Sequence, residues 1–221
     1  MAGLPGRFLD ALDEHALDGL RQSAVARHWR AGSTLVHEGD RAGRVLIVQS
    51  GRVKISAITP DGNEVVLAIR GPGELVGELS AVDGRPHGGT VIAMDDVSCL
   101  QVGNDDFIAF LRRHPDAAMA VIQLLAFRQR DADGKRIEFG AYDSVGRVAR
   151  RLVELAEEHG RRTGDGIRIM AGLTQSELAG FTGSSREAVS RALRMLRDEG
   201  LITTHRRGIT VHDIDALRSR A

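Results

Sequence analysis

The sequence predicts an α+β chain: a β roll in the first half, one long helix in the middle and a winged helix-turn-helix at the end. Three observations carry this reading. From Ala31 to Val102, short alternating apolar runs are broken by glycine-containing turns. From Pro115 towards Phe139, a helical pattern continues for many turns. From Leu173 to Val211, LTQSELAGFTGSSREAVSRALRMLRDEGLITTHRRGITV, two capped helices precede two short strands. At 221 residues the chain has room for two small domains. The expected divisions are 1–114 for the roll with its N-terminal helices, 115–140 for the long helix and 141–221 for the winged helix.

Residues 8–20 read as a short amphipathic helix with Phe8, Leu9, Leu12, Leu17 and Leu20 on its apolar side. Val25 to Trp29 opens the next piece, with His28 and Trp29 expected at the base of the roll. Strands are expected at Thr34–Val36, Arg44–Gln49, Arg52–Ile58, Glu64–Ile69, Thr90–Met94 and Ser98–Val102. The turns between them include Gly39-Asp40, Ser50-Gly51, Pro60-Asp61-Gly62-Asn63, Gly71-Pro72-Gly73 and Asp83-Gly84. Strands at this spacing suggest a β sandwich or roll.

Asn104 to Arg112 reads as a short helix, and Pro115 suits the first position of the long one. The long helix has its apolar positions at Met119, Ile122, Leu125 and Ala126, weakening to Gln129 and Ala132. Gly134 weakens it by about 1 kcal/mol relative to alanine and is a candidate hinge or a simple irregularity. Tyr142 to His159 is amphipathic again, with Val145, Val148, Leu152, Val153 and Leu155 inward, and Arg161 to Gly166 reads as a polar turn.

Two capping boxes are expected in the C-terminal stretch, Thr174 with Glu177 and Ser184 with Glu187. Phe181-Thr182-Gly183 is the turn between the helices. The second helix, about Ser185 to Glu199, buries Val189, Ala192, Leu193 and Leu196 and shows Arg186, Glu187, Ser190, Arg191 and Arg194 on its other side. Gly200 ends it. Leu201–Thr203 and Ile209–Val211 then form a wing around His205-Arg206-Arg207-Gly208. Arginines, a carboxylate and a serine near a helix start suit the major groove, because arginine can pair with guanine O6 and N7 while glutamate accepts from the cytosine amino group. Backbone amides at the two helix starts suit phosphates.

Composition sets the outer limits. A hydrophobic content of 42% with 27% charged residues is that of a globular protein, and no apolar run approaches a membrane span. The acidic, amphipathic N-terminus lacks the order of a signal peptide, so a cytoplasmic location and no membrane partner are expected. Net charge is zero, which argues against general polyanion binding, but the C-terminal end is basic. Cys99 is the only cysteine, which excludes an intrachain disulfide and a cysteine-held iron–sulfur cluster. No metal site is expected: His37, Glu38 and Asp40 are close in sequence, but His37 and Glu38 are expected to alternate across a strand.

TQSELAGFTGSSREAVSRALRMLRDEGLI closely resembles the winged helix of the bacterial CRP/FNR transcription regulators. Ser185-Arg186-Glu187-Ala188-Val189-Ser190-Arg191 matches the start of that family's recognition helix. The stretch from Ala31-Gly32 to Gly51-Arg52-Val53-Lys54 is similar to the opening of the family's cyclic-nucleotide-binding β roll. The resemblance implies that Arg186, Glu187 and Arg191 read bases, with Ser190 on the same face, and that Thr174, Gln175 and Ser185 sit near phosphates. It implies a homodimer paired through the long helix, double-stranded DNA with half-sites close to TGTGA facing TCACA, and RNA polymerase as a further partner through the loop at Arg161–Gly166.

Gly77-Glu78-Leu79-Ser80 resembles the start of the family's phosphate-binding cassette, in which the glutamate accepts from the ribose 2′-hydroxyl. The cassette's arginine and hydroxyl residue are replaced here by His87 and Gly88. On the long helix, the hydroxyl residues that contact adenine in cyclic-AMP responders are replaced by Ala132 and Asp133. Three states of the effector pocket stay open: cyclic-AMP binding in the usual mode, a different or much weaker ligand, and a pocket that senses nothing. The competing function class is a metal-dependent cupin enzyme, which leaves the recognition helix unexplained and lacks the ligand set. The sequence therefore predicts a non-enzymatic regulator whose only cofactor candidate is a cyclic nucleotide.

Overall fold

The computed structural model describes residues 7–60, 62, 64–169, 174–205 and 208–221. Of the sequence expectations, the turn residues Asp61 and Asn63, Leu173 ahead of the first capping box, and the wing arginines Arg206 and Arg207 lie outside the described residues. The chain divides into two compact units. One takes the described chain up to Ala57 together with Leu67–Asp133, and the other takes Ile58–Val66 and Gly134–Ala221.

At the N-terminus the expected single helix is broken. A 3-10 turn, Leu9–Ala11, precedes α1, Glu14–Gln22. Asp13 causes the break, since its carboxylate accepts the Ala16 amide at 2.7 Å and caps α1 afresh. The apolar set survives it: Phe8, Leu12 and Leu20 are buried, and Leu9 and Leu17 pack against them.

The roll contains β1 (Ala24–Trp29), β2 (Thr34–Val36), β3 (Arg44–Ser50), β4 (Val53–Ile58), β5 (Glu64–Arg70), β6 (Leu75–Val76), β7 (Thr90–Ala93) and β8 (Val97–Gly103). Two four-stranded sheets result, in the orders β1-β8-β3-β6 and β2-β7-β4-β5. Every expected strand is present. The two-residue β6 was not expected, because it is too short to show an alternation. Strand alternation sorts β3 into two faces: Leu46 and Val48 join the core between the sheets, while Val45 and Ile47 face a second core built with helices. The inner core also holds Leu35, Val53, Val91 and Cys99. Trp29 packs against it, whereas His28 is exposed, contrary to the expectation that both pack at the base. Nor do His37 and Glu38 alternate across a strand: β2 ends at Val36, and His37 opens a turn in which its amide donates to Asp40 at 3.0 Å.

The helical side of the unit is formed by α1, α2 (Glu78–Asp83), α3 (Asn104–Arg113) and the first turns of α4 (Pro115–Ala141). Ala117, Val121 and Leu124 of α4 are buried there. Met119 and Ile122, on the other side of α4, are more than half exposed.

In the second unit, α5 (Ser144–His159) starts two residues later than Tyr142, because Asp143 caps it through the Gly146 amide at 2.8 Å. The polar turn expected at Arg161–Gly166 is a hairpin, β9 (Gly160–Thr163) and β10 (Gly166–Ile169). Gly164-Asp165 between these strands is a two-residue hairpin signal that the polar composition concealed. Next come α6 (Gln175–Thr182), α7 (Arg186–Asp198), β11 (Ile202–His205), β12 (Gly208–Val211) and α8 (Ile214–Ser219). The four strands form one sheet in the order β9-β10-β12-β11. The sequence reading did not include α8, although Asp213 is a sound N-cap that accepts the amides of Asp215 and Ala216.

Candidate nucleic-acid interface and effector pocket

The first capping box is present. Thr174 Oγ1 accepts the Glu177 amide at 3.1 Å, and Glu177 accepts the Thr174 amide at 2.8 Å. The second is not built as expected. Ser185, not Ser184, caps α7, accepting the Ala188 amide at 3.1 Å. The turn is one residue longer than the Ser184–Glu187 box would allow, since α6 ends on Gly183 in the left-handed region at φ +56°. Glu187 is fully exposed, and its carboxyl lies below the usual value, first through its own backbone amide and then through the Ser185 hydroxyl.

At 3.6 residues per turn, Arg186, Ser190, Arg194, Glu187 and Arg191 span an arc of roughly 140° on α7. The opposite arc holds Val189, Ala192, Leu193 and Leu196, all buried. Arg186, Arg191 and Arg194 are exposed, and among the described residues none of them is in an ion pair. Thr174 and Gln175 at the start of α6 are exposed too. The unit therefore displays exposed guanidiniums and a carboxylate together on one face of a rigid helix, with Arg186 and Arg191 both acting on Glu187. That face can donate in pairs to guanine and accept from cytosine.

Sequence reasoning missed the residue that braces the turn. Arg147 of α5 donates from Nε to the Thr182 carbonyl at 2.9 Å, from Nη2 to Ser184 Oγ at 3.1 Å and from Nη1 to the Tyr142 carbonyl at 2.6 Å. It thus satisfies a carbonyl at the end of α6 and engages the serine that does not cap α7. Its guanidinium also lies 5.8 Å from the centre of the Phe139 ring. A Cβ on Gly183 would sit 2.1 Å from that ring, so glycine is needed there both for φ and for space. Buried Arg151 stacks on Phe181 at 4.3 Å from the ring centre and pairs with Glu154.

In the roll, Gly77 takes φ +88° between β6 and α2, and a Cβ there would lie 2.9 Å from the Arg44 carbonyl. Glu78 is buried and pairs with Arg128 of α4, which also donates to the Leu75 carbonyl at 3.0 Å and lies 3.8 Å from Glu74. Arg128 was not foreseen. It extends the inward stripe Ala117, Val121, Leu124 by one turn, a position that reads as core until a buried acid appears beside it. Burial pushes the Glu74 carboxyl up against the opposing pull of Arg70, the Gly71 amide and Arg128. Ser80 is buried, with Oγ 3.3 Å from Nδ1 of buried His87. His87 is anchored through its backbone to the turn after β2 by bonds to Gly39 and Asp40. Burial lowers its pKa, Arg44 lowers it further, and Asp40 and Glu78 oppose.

Gly77, Glu78, Ser80 and His87 are thus brought together, with Gly88 exposed beside them and nothing within 4 Å of where its Cβ would be. Leu79 points outward and is 60% exposed. Ala132 and Asp133 are exposed on α4, where Gln129 donates to Asp133 at 3.2 Å. Among the described residues, no group of three or more His, Cys, Asp and Glu is arranged to hold a metal. Among those residues, too, no helix is long and apolar enough to cross a membrane.

Comparison with known proteins identifies both domains. Residues 26–114 match the family of cyclic nucleotide-binding domains, and residues 146–220 match the Crp-like helix-turn-helix domain. The chain is 32% identical over 214 residues to the CRP-like cAMP-activated global transcriptional regulator of Mycobacterium tuberculosis, covering 97% of this chain and 96% of that one. It is 32% identical over 176 residues to the cyclic AMP receptor protein of Thermus thermophilus, covering 80% of this chain and 78% of that one. A solved CRP-family transcriptional regulator from the same organism superposes with a TM-score of 0.74 at 27% identity, over 88% of this chain and 96% of that one. The Xanthomonas campestris regulator CLP, described as c-di-GMP responsive, shares the fold at TM-score 0.78 and 23% identity, over 91% of this chain and 100% of that one.

Proposed function

The chain belongs to the CRP/FNR family of DNA-binding transcription regulators, which are not enzymes, and we propose that it acts as a cytoplasmic homodimer on a pseudo-palindrome of TGTGA and TCACA half-sites. The observation that carries the reading is the α7 face, where Arg186, Glu187 and Arg191 stand exposed together and, among the described residues, the arginines are in no close ion pair. In this reading those three read bases, Ser190 assists, and Thr174, Gln175 and Ser185 hold phosphates beside them. Two such helices about one DNA turn apart fit a two-fold site. The dimer seam is the exposed stripe of α4 that includes Met119 and Ile122, and the polar Gln129 and Asp133 loosen it towards Gly134. The sensor is the roll (1–114), the seam α4 (115–140) and the reader the remainder (141–221). RNA polymerase is a partner through the β9–β10 hairpin in this reading.

The effector pocket departs from cyclic-AMP binding in the usual mode. With His87 and Gly88 in place of a cationic and a hydroxyl residue, the cassette itself lacks a charge-assisted contact worth about 1.5–3 kcal/mol. That is about one to two decades in affinity. A conventional cyclic-AMP-dependent activator is the second reading, favoured by the cAMP-activated relative from Mycobacterium tuberculosis.

Fluorescence anisotropy on a TGTGA/TCACA duplex and a scrambled duplex, at fixed salt, with and without cyclic AMP and cyclic GMP, tests both. Preference for the TGTGA duplex is expected. Equal binding to the two duplexes would remove the base-reading assignment. Specific binding that appears only at low micromolar cyclic AMP would favour the conventional activator.

A further inference from the structure

The replacement of the cassette cation by His87 leaves a pocket with a glutamate and a serine but no cassette guanidinium. A different guanidinium is present. Arg44 is the first residue of β3, and residues 44, 46 and 48 share one face of that strand. Leu46 and Val48 of that face belong to the core between the two sheets. Arg44 is therefore the last inward position of β3, at the end of the strand that lies against Gly77. Its Nη2 donates to the Leu35 carbonyl at 2.9 Å. Its Nε is buried without any hydrogen-bond partner. Among the described residues no carboxylate pairs with it, and nearby Asp40 instead accepts the His37 amide. A half-buried guanidinium in this state bears a desolvation cost that an anion would offset.

We infer that Arg44, reaching in from β3, is the cation that holds the phosphate of a cyclic mononucleotide in this pocket. One guanidinium matches the single negative charge of a cyclic phosphodiester. A phosphate monoester dianion would call for a second cation, and the other basic side chains beside the cassette do not supply one: Arg128 is paired with Glu78, and burial and then Arg44 lower the pKa of His87. Glu78 and Ser80 follow Gly77 in the first turn of α2. The inference rests on the roll being the sensor of the proposed regulator, and it relocates the anchoring charge from the cassette to the strand before it.

The test is isothermal titration of the full-length dimer with cyclic AMP and with cyclic GMP. Arg44→Gln is expected to weaken the better nucleotide by about 10- to 100-fold, the loss of one charge-assisted contact. Arg85→Gln is the control. Arg85 is exposed, lies two residues before His87 and sits 3.9 Å from Asp83, so its loss should leave binding unchanged. His87→Arg in the Arg44→Gln background returns a cation to the cassette and should restore binding. Arg44→Lys keeps the charge on the strand and should retain binding that Arg44→Gln loses, so an equal loss in both points to packing and overturns the proposal. Unchanged affinity in Arg44→Gln, a loss that follows Arg85 instead, or no heat from either nucleotide with the wild-type protein also overturns it. Anisotropy on the TGTGA duplex with the same proteins reports separately on the regulator reading, since α7 is untouched by these changes.

Discussion

Gly183 gives the sharpest test of how the reading head is held. Replacing it with alanine has two separable costs. The residue sits at φ +56°, where a Cβ is strained by roughly 1–2 kcal/mol. The new Cβ would also lie 2.1 Å from the Phe139 ring, and forcing extra volume into a packed site costs about 1–3 kcal/mol. Phe139 is half exposed, so its ring can swing away, and the steric part belongs at the lower end of that range. Gly183→Ala should therefore cost about 2–4 kcal/mol in all. In a Phe139→Ala background the steric part disappears and only the backbone part persists, which gives a coupling of about 1–2 kcal/mol in a double-mutant cycle. Urea denaturation of the four proteins measures it. Anisotropy on specific and scrambled duplexes adds the functional readout, because a displaced ring also disturbs Arg147, which holds Thr182 and Ser184 on either side of the glycine. An identical cost for Gly183→Ala with and without the Phe139 ring would refute the steric reasoning and leave only the φ argument.

Arg186→Ala should cost about 1–3 kcal/mol of DNA affinity and relax the preference at one guanine, measured on duplexes substituted base by base. A uniform loss on every sequence would make it a phosphate contact. Ser185→Ala should destabilise the second unit by about 0.5–2 kcal/mol in urea, as the loss of an N-cap does. It should also raise the Glu187 carboxyl towards its ordinary value in an NMR titration, since the Ser185 hydroxyl is one of the groups lowering it. Cys99, buried in the roll, has its thiol pushed up to about 12 by burial. Because the folded value lies above the ordinary one, the neutral thiol's contribution to stability is complete below pH 9 or so and is lost between there and about pH 12. Native protein should accordingly resist a thiol-specific disulfide reagent at pH 8 and react only on unfolding, and fast labelling of the folded protein would contradict the burial argument.

How legible these features were in the sequence depended on how far apart the interacting residues lie. The strands of the roll, the two faces of α7 and the Thr174–Glu177 box are set by periods of two and 3.6 residues and by contacts three residues apart, and the structure has them within a residue of expectation. Where two local rules competed, the sequence was ambiguous. Both Ser184 and Ser185 can cap a helix, and the choice fell to Arg147, which lies 37 residues before Ser184 and takes its hydroxyl. The β9–β10 hairpin was hidden because arginine and threonine on an edge strand look like a solvated loop. Its pairing with β10, itself paired to β12, makes it a strand.

The pocket is the extreme of the same gradient. Its cassette is contiguous, so the loss of a cation at His87 could be read directly. Glu78, however, is neutralised by Arg128, 50 residues on, through a contact that no local pattern announces. Arg44 precedes His87 by 43 positions and looks, in sequence, like the exposed start of a strand. Only the alternation of β3, once Leu46 and Val48 are known to face the inner core, turns its side chain inward. If Arg44 serves the phosphate, a cassette read in isolation overstates the loss of charge in the pocket, because the charge is counted over residues that adjoin in sequence while an anion samples those that adjoin in space. Coulombic attraction falls only slowly with distance in a half-buried site, so a guanidinium on the neighbouring strand can serve where the cassette has none. On the proposal that Arg44 anchors the phosphate, the affinity given up at His87 is regained from the strand, an exchange of position rather than of chemistry that the reciprocal pair Arg44→Gln and His87→Arg isolates.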